Sequence, residues 1–224
     1  MFNLHKQGKP VVKIVGGKHT NKIIYCNDQY DSDDDTSEDS VNIGGSRQTR
    51  FDYLNVKKIK GKFEPVPNTK SERTIIYCSG PSGSGKSYYC KLFVLNYIAA
   101  YPKNEIYMFS KLLKDSSLDD VKKIKRIKID DDLINEPFDA SDFVDCLLIF
   151  DDIDTLQNKE RKEELLKLQN DILQVGRHSR TSAVITSHLA AKGNETKVIL
   201  AESHIITLFL SSGQNYNYYG VSFK

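Results

Sequence analysis

The eight residues Gly80-Pro81-Ser82-Gly83-Ser84-Gly85-Lys86-Ser87 constrain this chain more tightly than any other stretch of it. They fit the pattern G-x-x-x-x-G-K-[ST] at every fixed position. With glycine at about 7% of average sequence, chance would produce the pattern in roughly one chain of this length per hundred. Its setting narrows the reading further. The apolar run Thr74–Ser79 leads directly into the loop, and a helical stretch, Lys86–Ala100, leaves it and stops ahead of Pro102. A plain Gly/Ser turn has no reason to lie at such a strand–helix junction. Glycines let successive backbone N–H groups curl around phosphate oxygens, and the helix N-terminus adds partial positive charge. Gly80, Ser82, Gly83, Ser84, Gly85, Lys86, Ser87 and Tyr88 are therefore the expected nucleotide-binding residues. Lys86 would reach the β- and γ-phosphates of ATP, and the Ser87 hydroxyl would ligate Mg²⁺.

The surrounding pattern specifies the architecture. Short apolar runs at Thr74–Ser79, Glu105–Ser110, Arg126–Ile129, Cys146–Phe150, Ser182–Ser187 and Ile205–Leu210 alternate with longer stretches. Most are continuously apolar, which suits strands covered on both faces. Of the intervening stretches, Asn158–Val175 places Leu165, Leu168 and Ile172 on one stripe and ends at Gly176, as a helix would. Strands alternating with helices imply right-handed crossovers and a mainly parallel sheet sandwiched by helices. The expected fold is an α/β P-loop NTPase over residues 73–224, with a short β-containing extension before it. That extension is read as two short strands around Gly16-Gly17 within residues 1–26. An acidic stretch at 27–48, with seven acids between Asn27 and Ser40, is expected to be a disordered linker. A basic, proline-punctuated connector at 49–72 follows.

The run Leu147-Leu148-Ile149-Phe150-Asp151-Asp152 is an apolar strand ending in carboxylates. Alone it would mean little. Placed sixty-five residues after Lys86, it reads as a Walker B strand, with Asp151 in the Mg²⁺ shell and Asp152 orienting a water near the γ-phosphate. A switch-type GTPase is disfavoured, because Asp151-Asp152-Ile153-Asp154 lacks the glycine of a D-x-x-G switch and Asn158-Lys159-Glu160-Arg161 does not complete N-K-x-D. A third segment, Gly176-Arg177-His178-Ser179-Arg180-Thr181, leads into the strand Ser182–Ser187 and His188 at its tip.

This order of motifs, from Thr74 to Leu210, resembles the FtsK/HerA superfamily of DNA-pumping ATPases, closest to the poxvirus-like genome-packaging ATPases of large DNA viruses. The tail Ile199-Leu200-Ala201-Glu202-Ser203-His204-Ile205 belongs to the similarity. In that family an arginine matching Arg177 lies eleven residues before a sensor glutamine, a position held here by His188. Histidine can donate a hydrogen bond to a γ-phosphate with different geometry and pH dependence. Asp152 stands where many relatives carry Glu, so the shorter side chain must work from closer in. The resemblance implies a homo-oligomeric ring in which Arg177 or Arg180 reaches a neighbour's γ-phosphate, double-stranded DNA as the cargo, and a capsid or portal partner. A surface arginine pairing with acids or capping a helix is the alternative for either residue.

Bulk properties set limits. With 32 Lys+Arg against 30 Asp+Glu the net charge is +2, which excludes a uniformly basic nucleic-acid coat. The longest apolar run in the core, Cys146–Phe150, falls far short of the roughly 20 residues of a membrane span. The first seven residues contain no apolar signal segment, so an intracellular protein is expected, in host cytoplasm or virion if viral. Cys26, Cys78, Cys90 and Cys146 form no C-x-x-C pair and read as reduced, structural thiols rather than a zinc site with His178 or His188. His178 and His204 read as packing or surface residues.

Five cations among residues 122–128 could track a phosphate backbone or could guard an edge strand against aggregation. Tyr216, Tyr218 and Tyr219 could stack on bases or simply pack. Taken together, the expectation is a Mg²⁺-dependent ATPase that moves double-stranded DNA, most naturally in viral genome packaging. A nucleoside or nucleotide kinase, or a non-catalytic nucleotide-dependent assembly factor, are the alternatives.

Overall fold

A computed structural model describes residues 2–6, 8–27 and 60–209. Residues 28–48 of the acidic stretch, 49–59 of the basic connector and the three C-terminal tyrosines lie outside the described residues. The chain divides into two compact units, Met1–Val66 and Pro67–Lys224.

The first unit is a four-stranded antiparallel sheet of β1 (Phe2–Asn3), β2 (Lys9–Val15), β3 (Ile23–Cys26) and β4 (Lys62–Pro65), in the order β1-β3-β2-β4. Ile14 and Ile24 are fully enclosed within it. The turn after β2 depends on glycine: Gly17 has φ +72°, and a Cβ there would stand 2.0 Å from the Lys60 carbonyl oxygen. Strand β4 comes from the stretch read as a connector. Its four residues alternate charged with apolar, but Pro65 and the neighbouring lysines read as a connector, and its place is fixed by pairing with β2, Val12 opposite Pro65 and Val15 opposite Lys62.

The second unit is the expected sandwich. Six strands, β5 (Ile75–Ser79), β6 (Glu105–Ser110), β7 (Ile124–Ile127), β8 (Cys146–Asp151), β9 (Ser182–Ser187) and β10 (Ile205–Leu208), form an all-parallel sheet ordered β10-β5-β9-β8-β6-β7. Helices α1 (Lys86–Ala100), α2 (Asp132–Asn135), α3 (Lys159–Val175) and α4 (Asn194–Glu202) connect them. Side chains alternate across the sheet, so it carries a core on each face. On one, Tyr77, Leu148 and Phe150 meet Leu165, Leu168 and Ile172 of α3. On the other, Ile76, Cys78, Leu147 and Ile149 meet Cys90, Phe93, Val94 and Tyr97 of α1. This two-sided burial is why the strand sequences are apolar without interruption.

Both long helices have identifiable ends. The Asn158 side chain accepts the Arg161 N–H at 3.0 Å, capping the start of α3. At its other end the Arg73 guanidinium, buried, donates to the Ile172 and Leu173 carbonyls at 2.6 and 2.7 Å, placing a cation on the negative end of the helix. The third apolar run was expected at Arg126–Ile129 and forms instead at Ile124–Ile127. Register with β6, from Ile106 opposite Ile124 to Phe109 opposite Ile127, decides this, and Ile129 packs against the core beyond the strand. Among the described residues no helix is long and apolar enough to cross a membrane.

Candidate nucleotide-binding site

In a parallel sheet all strands end on one edge, so residues far apart in sequence gather at their C-terminal tips. Strand β5 delivers the glycine loop there, β6 delivers Ser110, β8 delivers Asp151 and Asp152, and β9 delivers Thr186, Ser187 and His188.

The loop is held in a shape that glycine permits. Gly83 and Gly85 adopt left-handed backbone, with φ +73° and +102°. The Gly80 N–H donates to the Ser187 carbonyl at 3.1 Å, tying the loop to β9. Lys86 opens α1 with its side chain buried, and its Nζ donates to the carbonyls of Gly80 (2.8 Å) and Pro81 (3.3 Å). A desolvated ammonium so bound has traded water for weak carbonyl partners, which an entering phosphate can replace. Ser87 is half-buried on the first turn, and Tyr88 is 58% exposed beside it. The Ser84 hydroxyl is buried with no hydrogen-bond partner.

Asp151 is almost fully buried, and its two carboxylate oxygens are separately held. Ser110 Oγ donates to Oδ2 at 2.8 Å, and Thr186 Oγ1 lies 2.9 Å from Oδ1. Burial pushes the Asp151 carboxyl above the ordinary carboxylate range, with the neighbouring Asp152 charge adding to the effect and the two hydroxyls opposing it. Asp152 turns away through a left-handed backbone at φ +49°. That turn points its carboxylate toward the loop, with Oδ2 3.8 Å from Lys86 Nζ and 3.2 Å from His188 Nε2. Its N–H donates to Thr186 Oγ1 at 3.0 Å. Asp154, two residues on, is also pushed up by burial. The loop carrying His188 is fixed by Tyr77 Oη and Ser187 Oγ, which lie 2.7 Å apart and each 2.7 Å from the Leu189 carbonyl.

The structure thus brings Lys86, Asp152 and His188 together over the glycine loop, with Asp151 and Ser87 at its side. Ser110 and Thr186 complete the set and were not singled out from sequence. Their only signal there is a polar residue ending an apolar run. The donors are a hydroxyl and carboxylates, hard oxygen ligands that suit Mg²⁺. No group of three or more His, Cys, Asp or Glu that could hold a metal occurs among the described residues.

Arg177 and Arg180 lie elsewhere. They precede β9, at the N-terminal edge of the sheet, a strand length of about 16–20 Å from the loop. Arg177 is exposed, with Nε donating to Glu72 at 2.5 Å, and Arg180 is paired with Asp145. Arg177 shares an open cleft with Lys70, Arg73, Glu202 and His204, and His204 Nδ1 accepts the Ile75 N–H at 2.9 Å. Neither arginine lies at its own glycine loop. The cations at 122–128 fall on and around β7, at the sheet edge, where Lys125 pairs with Glu105, Arg126 with Asp119, and Lys123 donates to the Pro102 carbonyl. Such pairing on an edge strand supports the protective role of that cluster. The four cysteines are free thiols.

No family model matches the chain. Protein V3 of Sputnik virophage, described as uncharacterized, is 38% identical over 226 residues, spanning 99% of this chain and 81% of V3. Among solved structures, the cytoplasmic domain of EssC superposes with a TM-score of 0.51 at 16% identity, over 72% of this chain and 36% of that one. The genome packaging NTPase B204 of Sulfolobus turreted icosahedral virus 2, solved with ATP-γS, gives a TM-score of 0.45 at 14% identity, over 67% and 82% of the two chains. At 16% identity the likeness to EssC is one of fold alone.

Proposed function

The chain belongs to the family of Sputnik virophage protein V3, and on that premise we propose that it is a Mg²⁺-dependent ATPase that moves double-stranded DNA in viral genome packaging. The observation that carries the proposal is the convergence of Lys86, Asp152 and His188 over a glycine loop at the sheet's C-terminal edge. Open α/β sheets bind ligands at this edge.

On this reading the chain's residues have distinct tasks. Loop N–H groups and Lys86 bind the β- and γ-phosphates, Lys86 leaving the Gly80 and Pro81 carbonyls to do so. Ser87 and Asp151 hold Mg²⁺, which when bound neutralises phosphate charge. Ser110 and Thr186 keep both oxygens of Asp151 in place. Asp152 orients the attacking water and accepts its proton at the carboxylate. His188, already 3.2 Å from Asp152, senses the γ-phosphate by hydrogen bonding. Arg177 acts on the nucleotide of a neighbouring copy in a ring, after release from Glu72. Its position at the opposite edge of the sheet supports action between subunits rather than within one. DNA is the cargo, and a capsid or portal component the docking partner.

The test is ATP turnover with and without duplex DNA, alongside mass measurement with ATP. Hydrolysis stimulated by DNA in an oligomer supports the motor. Phosphate transfer to an added nucleoside would replace it with a kinase, and binding without turnover would replace it with an assembly factor.

A further inference from the structure

The sheet order fixes which way a nucleotide must lie. Asp151 and Asp152 end β8 and mark the γ-phosphate end, while the glycine loop rises from β5, two strands away in the order β10-β5-β9-β8. A triphosphate spanning the loop from Asp152 therefore leaves its nucleoside on the far side of β5, above the tip of β10. The residue at that tip is Phe209. Its N–H donates to the Ser79 carbonyl at 2.8 Å, extending the β10–β5 pairing to the mouth of the loop.

The loop's glycines accommodate this ring as well as phosphate. A Cβ on Gly80 would stand 2.5 Å from Phe209 Cβ, and one on Gly85 would stand 3.6 Å from Phe209 Cε1. The rings of Phe209 and Tyr89 stand T-shaped, with centroids 6.2 Å apart and planes at 84°. Tyr89 is itself anchored, its Oη accepting from Thr207 Oγ1 at 3.0 Å. Phe209 is only half-buried, and the exposed Tyr88 stands on the same first turn of α1. An aromatic ring held between Tyr89 and the glycine loop, partly open to solvent and placed where the nucleoside must emerge, is available to stack on a base.

We propose that Phe209 is the stacking platform for the nucleobase; this rests on the nucleotide-binding reading above. Stacking distinguishes a nucleotide from its bare phosphate chain, and a residue that merely shapes the loop does not. Calorimetric titration of the full chain with Mg·ATP and with inorganic tripolyphosphate separates the two. Phe209→Leu, which keeps apolar bulk, and Phe209→Ala should each weaken ATP binding about tenfold, within the span of measured base–aromatic stacks. Tripolyphosphate affinity should be unchanged, and Phe209→Tyr should restore ATP binding. Equal losses for both ligands, or no loss for ATP, would overturn the assignment. A parent chain that binds neither ligand would instead overturn the nucleotide-binding reading itself.

Discussion

Replacing Thr186 by valine removes one hydroxyl from the junction of three groups and leaves the side-chain shape nearly intact. That hydroxyl accepts the Asp152 N–H at 3.0 Å and lies 2.9 Å from Asp151 Oδ1 and 3.1 Å from Asp152 Oδ1. With a single proton it donates to one carboxylate at a time. Thr186 is 1% exposed, so water cannot take over the lost bonds without rearrangement. A hydrogen bond to a charged partner contributes about 1.5–3 kcal/mol, and the orphaned Asp152 N–H adds up to a further ~1 kcal/mol because Asp152 is partly solvated. The expected loss is about 2–4 kcal/mol, or a fall of about 5–15 °C in melting temperature for a domain of this size. The effect should depend on pH in a defined direction. Burial already holds the Asp151 carboxyl above its ordinary range, so its ionisation opposes folding. That contribution is favourable at acid pH and is lost as pH rises from the unfolded carboxylate value through the raised native one. Without the Thr186 donor the native value rises further, so the gap between variant and parent should widen toward neutral pH and narrow on acidification. Thermal unfolding of parent, Thr186→Val and Thr186→Ser across that range is the assay. Serine keeps the hydroxyl and should recover most of the loss. A valine variant melting within a degree of the parent, or a serine variant no better than valine, would refute the assignment of Thr186 as the clamp on the two carboxylates.

Other expectations are direct. Lys86→Ala should abolish ATP binding in a fluorescence titration while circular dichroism shows an intact fold; turnover at the parent rate would reject the loop's assigned role. Asp152→Asn should retain nucleotide and slow hydrolysis steeply, since an amide is a poor proton acceptor, and Arg177→Ala should cost about 10³–10⁵ in turnover if the arginine acts as a finger. Mixing those two variants should restore part of the activity, because some interfaces would then pair an intact Asp152 with an intact Arg177; co-assembly without recovery would confine Arg177 to its own subunit or to its Glu72 pair. A chain beginning at Pro67, the start of the second compact unit, should unfold cooperatively and bind ATP; a broad, non-cooperative melt would show that the unit needs the preceding residues.

Much of this protein was legible residue by residue because the signals are local. The glycine loop and the helix it opens are a contiguous stretch, and the φ > 0 positions at Gly83 and Gly85 are a demand that a single residue type meets. The limits of α1 and the cap of α3 by Asn158 follow from Pro102 and from an ordinary capping residue. Uninterrupted apolar runs identified strands covered on two faces. Only the tertiary structure decided what register decides. Strand β7 moved two residues toward the N-terminus to match β6, and Lys62–Pro65 became a strand because β2 offered it an edge. The pairing of Asp151 with Ser110 on one side and Thr186 on the other joins three strand tips through hydrogen-bonded ladders that no window of sequence contains. Parallel registry likewise put Arg177 on the edge opposite Lys86, although both flank strands of the same sheet, and carried Phe209 to the mouth of a loop that lies well over a hundred residues before it. A periodicity of two or 3.6 residues states which face of an element is buried. It carries no information about which neighbour lies across that face, since that choice is made by loop closure and packing over the whole chain.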